Sequence, residues 1–248
     1  MSVKLEVCVD SVESAIAAQK GGADRVELCA NLLEGGTTPS AGMIRQVREQ
    51  IQIGLQVMIR SRGSDFLYSH EEFQVMKADI EIAKNLGADG VVFGCLTPEG
   101  AIDKIKTADL IGHAQPLNVT FHRAFDMVKD RKQALEDLIE LKIDRVLTSG
   151  LAPNVMDGVV TLANIVRQAK DRIIILAGGG VRDFNARELI ERTGVPEIHM
   201  SGRKPVASKM KYRRDHLMMG ALPDCEYLTK VTDEHIVRAV KAIIQMPV

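Results

Sequence analysis

Short runs of β-branched and other apolar residues alternate along the whole chain with longer stretches whose apolar positions recur at helical spacing. Eight runs have strand character, near residues 4–10, 24–30, 54–61, 90–95, 117–123, 145–149, 173–178 and 197–201. Regular alternation of strand and helix indicates a parallel sheet covered by helices. The punctuation agrees. Ser11, Ser40 and Ser69 stand where helices should begin, with hydroxyls able to accept first-turn N–H groups, and Gly22, Gly87 and Gly194 stand where helices should stop. Helices three to seven are expected over 69–86, 103–114, 130–142, 154–171 and 185–193, and a last one over Asp233 to Gln245 carries Ile236, Val237, Val240, Ile243 and Ile244 on one side. Eight such units predict an α/β fold, a TIM (β/α)8 barrel forming a single domain over residues 1–248, with a doubly wound open sheet as the alternative.

No Pro/Gly/Ser-rich linker divides the chain. Its one long connection, Arg203 to Thr232, follows the eighth strand, holds Lys204, Lys209, Lys211, Arg213 and Arg214, and reads either as a solvated loop or as a lid over the functional face.

Composition narrows the function classes. The chain has 248 residues, 46% of them apolar, but its longest apolar runs are strand-sized, which excludes a membrane-spanning role. With 32 basic and 33 acidic residues the net charge is −1, so no global field gathers nucleic acid or anionic lipid. The amino terminus enters a strand pattern without the layout of a secretory signal, which predicts a cytoplasmic protein. The four cysteines, Cys8, Cys29, Cys95 and Cys225, form no C-x-x-C pair and are expected to be thiols.

Side chains alternate along a strand, so each strand sorts into a helix-facing and an interior set. In the first strand Leu5, Val7 and Val9 form the apolar set, leaving Glu6, Cys8 and Asp10 on the other face. In the second, Arg25, Glu27 and Cys29 share the parity opposite to Val26 and Leu28, so the two strands repeat Glu-x-Cys. The same sorting turns Met58 and Arg60, Thr120 and His122, and Glu197, His199 and Ser201 inward. Barrels usually fill their interior with branched apolar side chains, and charges there cost desolvation unless they are paired or functional. A self-satisfied ion-pair network is the alternative to a site.

Three chemistries fit the interior set. Cys8 and Cys29 lie on adjacent strands, about 4.8 Å apart, with Met58 next to them and His122 and His199 across the mouth, and soft sulfur donors of this kind favour Cu(I). Buried free cysteine is also a common core residue. Glu6, Glu27, His122 and His199, backed by Arg60, could instead perform acid-base catalysis on a small anionic ligand. Third, Gly178, Gly179 and Gly180 follow strand seven, and Ser201, Gly202 and Arg203 follow strand eight. Those are the loops with which barrels bind phosphate, unless the glycines only serve two tight turns.

Several strings are recognisable together: Leu5-Glu6-Val7-Cys8, Gly22-Ala23-Asp24-Arg25-Val26-Glu27-Leu28-Cys29-Ala30, Glu34-Gly35-Gly36-Thr37-Thr38-Pro39-Ser40, Met58-Ile59-Arg60-Ser61-Arg62-Gly63, Thr120-Phe121-His122-Arg123-Ala124-Phe125-Asp126 and Arg145-Val146-Leu147-Thr148-Ser149-Gly150. Over nearly the whole chain the sequence resembles the CutC family of copper homeostasis proteins. The resemblance implies a cytoplasmic TIM-barrel protein, usually a homo-oligomer, associated with copper tolerance and proposed to bind Cu(I). It places Cys8 and Cys29 at the family's strand-end cysteines, and Glu6, Glu27, Arg60, His122 and Arg123 inside its matching strings. Some relatives carry two consecutive cysteines on strand one where this sequence has Cys8-Val9, so one sulfur is missing here. Two functions follow as expectations: a copper homeostasis protein whose partner is a copper ion, or an enzyme acting on a small phosphorylated or carboxylated metabolite.

Overall fold

The computed structural model describes residues 3–214, 216, 217, 219 and 226–246, so Cys225 lies outside the described residues. Strands β1 (Lys4–Val9), β2 (Arg25–Leu28), β3 (Gly54–Met58), β4 (Gly90–Phe93), β5 (Asn118–Phe121), β6 (Arg145–Thr148), β7 (Ile174–Gly178) and β8 (Glu197–Met200) pair in parallel in chain order. β8 then pairs with β1 and closes the ring, which rules out the open sheet. Helices α1 (Val12–Lys20), α2 (Ala41–Gln50), α3 (His70–Asn85), α4 (Lys104–Ala114), α5 (Arg131–Glu140), α6 (Val159–Ala169), α7 (Asp183–Thr193) and α8 (Glu234–Gln245) cover it.

The strand parity read from the sequence separates two bodies of apolar packing. Leu5, Val7, Val9, Val26, Leu28, Val57, Phe121 and Ile198 face outward and pack with Ala15, Val47, Leu162 and Val240 from the helices. Inside the ring, Cys8, Cys29, Met58 and Val92 form a second, smaller cluster. The rest of the interior is largely polar, with Glu6, Arg25, Glu27, Gln56, Thr120, Arg145 and Glu197 all buried beside Leu147 and Leu176.

The caps form as their residue types require. Ser11 accepts from the Ser14 N–H at 3.1 Å, and Ser40 from the Met43 N–H at 3.2 Å. At α3 the Ser69 hydroxyl accepts from the Glu72 N–H at 3.2 Å while Glu72 Oε2 accepts from the Ser69 N–H at 2.9 Å, a reciprocal capping box. Ser69→Ala is expected to lower stability by about 1 kcal/mol, and the thermal midpoint by about 2–4 °C for a chain of this size. An unchanged midpoint would show that the cap adds nothing.

Two elements differ from the sequence reading. α6 begins at Val159 rather than near 154, because Asn154 Oδ1 accepts from the N–H groups of Met156 and Asp157, and Val155 N–H donates to Gly179. These bonds hold the segment in a turn that competes with helix. Gly158 then passes so close to Ser149 that a Cβ would lie 1.9 Å from its carbonyl oxygen. The connection after β8 is not a simple loop. Its ends pair as an antiparallel ladder of β9 (Arg203–Ala207) and β10 (Leu228–Thr232), tied down where Thr232 Oγ1 donates to Ser201 at 3.0 Å and Asp233 N–H to Gly202 at 2.9 Å.

Candidate functional site at the carboxyl mouth of the barrel

Register sets the first layer of the interior. Glu6 lies level with Arg25 on one side and His199 on the other, and Cys8 lies level with Glu27. The Arg25 guanidinium bonds both Glu6 and Glu197, and Arg145 reaches Glu197 and Thr120 at 3.3 Å each. Burial alone would raise the Glu6 pKa, but the Arg25 charge and the bonded His199 outweigh it and hold the carboxyl down at about 2. Glu6 therefore does not face the cavity. It is a fixed anion that ties Arg25 on one side and, through Oε1 at 2.7 Å from Nδ1, orients His199 on the other.

The next layer holds the sulfur. Cys8 and Cys29 Sγ atoms are 3.8 Å apart, Cys29 Sγ lies 3.5 Å from Glu27 Oε2, and His199 Nε2 lies 3.9 Å from the same oxygen. One ligand atom each from Cys8, Glu27 and His199 fall within 4.8 Å of one another, spacing suited to one ion. The hydrogen bond from Cys29 lowers the Cys8 thiol to about 5 against the opposing effect of burial, with His199 assisting. Cys29 is raised in turn, by that same bond and by burial. Burial opposes the charging of His199, yet Glu27, Cys8 and Glu6 around it raise its pKa. Glu27 is raised by burial and by the adjacent Cys8. These shifts favour the thiolate of Cys8 and the charged form of His199, with Cys29 as donor, the microenvironment of a reactive or metal-binding cysteine.

Just past the end of β3 Arg60 is buried and curls back on its own loops, NH1 donating to the carbonyls of Glu34 and Gly36 at 2.8 and 2.9 Å and NH2 to Ser64 at 2.7 Å. Phe66 lies between it and His122, its ring centroid 5.0 Å from Arg60 Cζ and 4.9 Å from the imidazole. Burial and the Arg60 charge push the His122 pKa down to about 3. Cys8, Glu27, Arg60, Phe66, His122, Arg123 and His199 line one cavity of about 360 Å3.

The glycine loops flank this cavity without lining it. Gly178 packs where a Cβ would come 2.6 Å from Leu147 and 2.9 Å from His199, and the Gly179 and Gly180 carbonyls accept from Val155 N–H and Asn185 Nδ2. Gly202 backs onto Met200 and Val237 of α8, Ser201 is bonded to Thr232, and Arg203 pairs with Asp10 at 3.0 Å. None of these six lines the cavity that holds Arg60, so the structure does not assemble them with it. The turn requirement accounts for the glycines: Gly179 and Gly180 adopt φ of 111° and 81°, which a side chain strains. Sequence sorting missed Phe66 and Glu34, which come from loops without periodicity, and Arg145, which the same parity rule applied to β6 would have found.

The CutC family model matches residues 3–204. The chain belongs to the CutC family. Among CutC relatives, the human copper homeostasis protein cutC homolog is 52% identical over 240 residues, covering 96% of this chain and 88% of its own. A CutC family protein of Mesorhizobium japonicum is 48% identical over 236 residues, covering 95% and 92%. The solved structure of the CutC protein of Streptococcus agalactiae superposes with a TM-score of 0.76 at 34% identity, over 80% of this chain and 98% of that one. A phosphoribosyl anthranilate isomerase from Thermococcus kodakaraensis, 13% identical with a TM-score of 0.63 over 100% of both chains, shares the barrel fold alone. The CutC match ends at residue 204, so β10 and α8 lie beyond it.

Proposed function

We propose that this CutC-family chain is a cytoplasmic copper homeostasis protein that binds Cu(I) at the mouth of its barrel, with Cys8 and Cys29 as sulfur ligands. The observation that carries the reading is the pair of sulfurs 3.8 Å apart at the edge of the cavity, with Cys8 held toward its thiolate form. Thiolate–metal bonds are about 2.3 Å long, as in zinc sites, so both sulfurs can reach one ion. Cys29 must release its proton to bind, and the metal drives that release. Met58 packs against both cysteines and supplies a thioether, a further soft donor. Free thiols suit a reducing compartment, and among the described residues no helix is long and apolar enough to cross a membrane. The proposal takes the protein to be a homo-oligomer of single-domain subunits with no nucleic-acid or membrane partner, in keeping with its net charge of −1.

The acid-base enzyme reading is weaker, because Glu6 is committed to Arg25 and His199 and the glycine loops flank the cavity without lining it. Anaerobic Cu(I) titration against a competing chelator tests the copper reading. The Cys8→Ser, Cys29→Ser double variant is expected to lose more than about 100-fold in affinity, beyond the loss typical of second-shell changes. Unchanged affinity would remove both residues as ligands. A preference for Zn(II) that survives Cys29→Ser alone would move the site to Cys8, Glu27 and His199.

A further inference from the structure

In the same cavity, two buried donors point to a ligand that copper does not satisfy. Arg60 is 5% exposed, and among the described residues it forms no ion pair: its terminal nitrogens are bonded to three backbone carbonyls, and its Nε–H makes no hydrogen bond, the nearby Tyr68 hydroxyl being unbonded as well. Neutral carbonyls satisfy hydrogens without balancing charge. A buried guanidinium without a counter-ion is costly to hold in place, and charges buried in proteins are normally paired.

His122 supplies the second donor, and its tautomer follows from geometry. The Ala124 backbone N–H donates to His122 Nδ1 at 3.2 Å, so Nδ1 carries no hydrogen and the ring hydrogen sits on Nε2. That Nε2 is buried and without a partner. Arg60 and His122 both line the mouth cavity, with Phe66 packed against each. Two N–H groups without hydrogen bonds, one of them on a cation that forms no ion pair although Glu27, Glu34 and Asp126 line the same cavity, suit a ligand that brings acceptor oxygens to both.

We propose that the mouth cavity is a binding site for a small carboxylate, whose oxygens accept hydrogen bonds from Arg60 Nε–H and His122 Nε2–H while Phe66 walls its carbon side. The cavity, about 360 Å3, is at the small end of the range for organic ligands and holds a small carboxylate with space to spare. A planar two-oxygen anion suits a guanidinium edge and a ring N–H better than a point charge does. The site needs neither cysteine, so it stands or falls separately from copper binding, although Cys8 and His199 line the same cavity.

The test is a titration of metal-free, histidine-15N-labelled protein with sodium acetate and sodium pyruvate, against inorganic phosphate and chloride at matched ionic strength. The His122 Nε2 signal, assigned by its disappearance in His122→Phe, is expected to move saturably with both carboxylates. His122→Phe and Arg60→Lys are each expected to weaken binding of pyruvate about 10-fold, the loss of one hydrogen bond to a charged group. A second assignment through His122→Gln keeps the readout in unsubstituted protein usable if His122→Phe does not fold. A shift no larger than that with chloride overturns the proposal, and a response to phosphate but to neither carboxylate overturns its ligand class.

Discussion

Arg25→Met is expected to lower the free energy of unfolding by about 3–5 kcal/mol, the range for removing one partner of a buried charge pair. Arg25 is buried inside the barrel and is bonded to two carboxylates, Glu6 and Glu197. Its removal leaves Glu197 with Arg145 at 3.3 Å, but leaves Glu6 with only the His199 imidazole. The cost lies in the stranded anion rather than in the lost attraction, so adding Glu6→Gln to Arg25→Met should recover part of it. Urea unfolding of the single and double variants checks both statements. A loss below about 1 kcal/mol for Arg25→Met would mean that the interior charges are hydrated enough to stand alone.

Acid is expected to destabilise the protein from about pH 6.5 downward, with His122 as the cause. The unfolded chain takes up a proton on this ring near pH 6.5, whereas the folded ring, held down by burial and Arg60, stays neutral to about 3. Between those values the unfolded state binds more protons, so the stability contributed above pH 6.5 is lost as the pH falls. At pH 5 the loss from this one group amounts to about 2 kcal/mol relative to pH 8. Glu6, held at about 2, adds a second loss that begins near its unfolded value of 4.5. His199 works on the other limb: its raised pKa gives stability that is complete below pH 6.5 and declines as the pH rises through the folded value. Urea unfolding at a series of pH values should show the acid slope flattened by one proton in His122→Phe. Equal slopes in the two proteins would show that His122 is charged in the fold.

The ring and its interior were legible because the information is short-range. Parity along β1, β2 and β8 turns Glu6, Cys8, Arg25, Glu27 and His199 inward before any packing is known, since the pleat alone decides it. What parity leaves open is height and partner. Only the register shows that Glu6 sits level with Arg25 and His199 and is used up there, while Glu27 one layer higher reaches the cavity. Arg60 was legible as an interior residue, but the return of its guanidinium to the carbonyls of Glu34, Gly36 and Ser64 depends on two irregular loops. The β9–β10 ladder was hidden because Arg203–Ala207 is short, basic and carries Pro205, a composition that fits an exposed edge strand as well as a coil.

The bond between Glu6 and His199 spans 193 residues and crosses the seam where the first strand meets the last. Cys8 gains its imidazole neighbour only when that seam is sealed. A chain that has made its first seven strands holds both thiols but not the group that acidifies one of them further, and so carries a less reactive pair. The seam thus adds an imidazole to a sulfur pair whose acidity rests first on the bond between the two thiols, and closure of the ring joins the chain's two ends in one site.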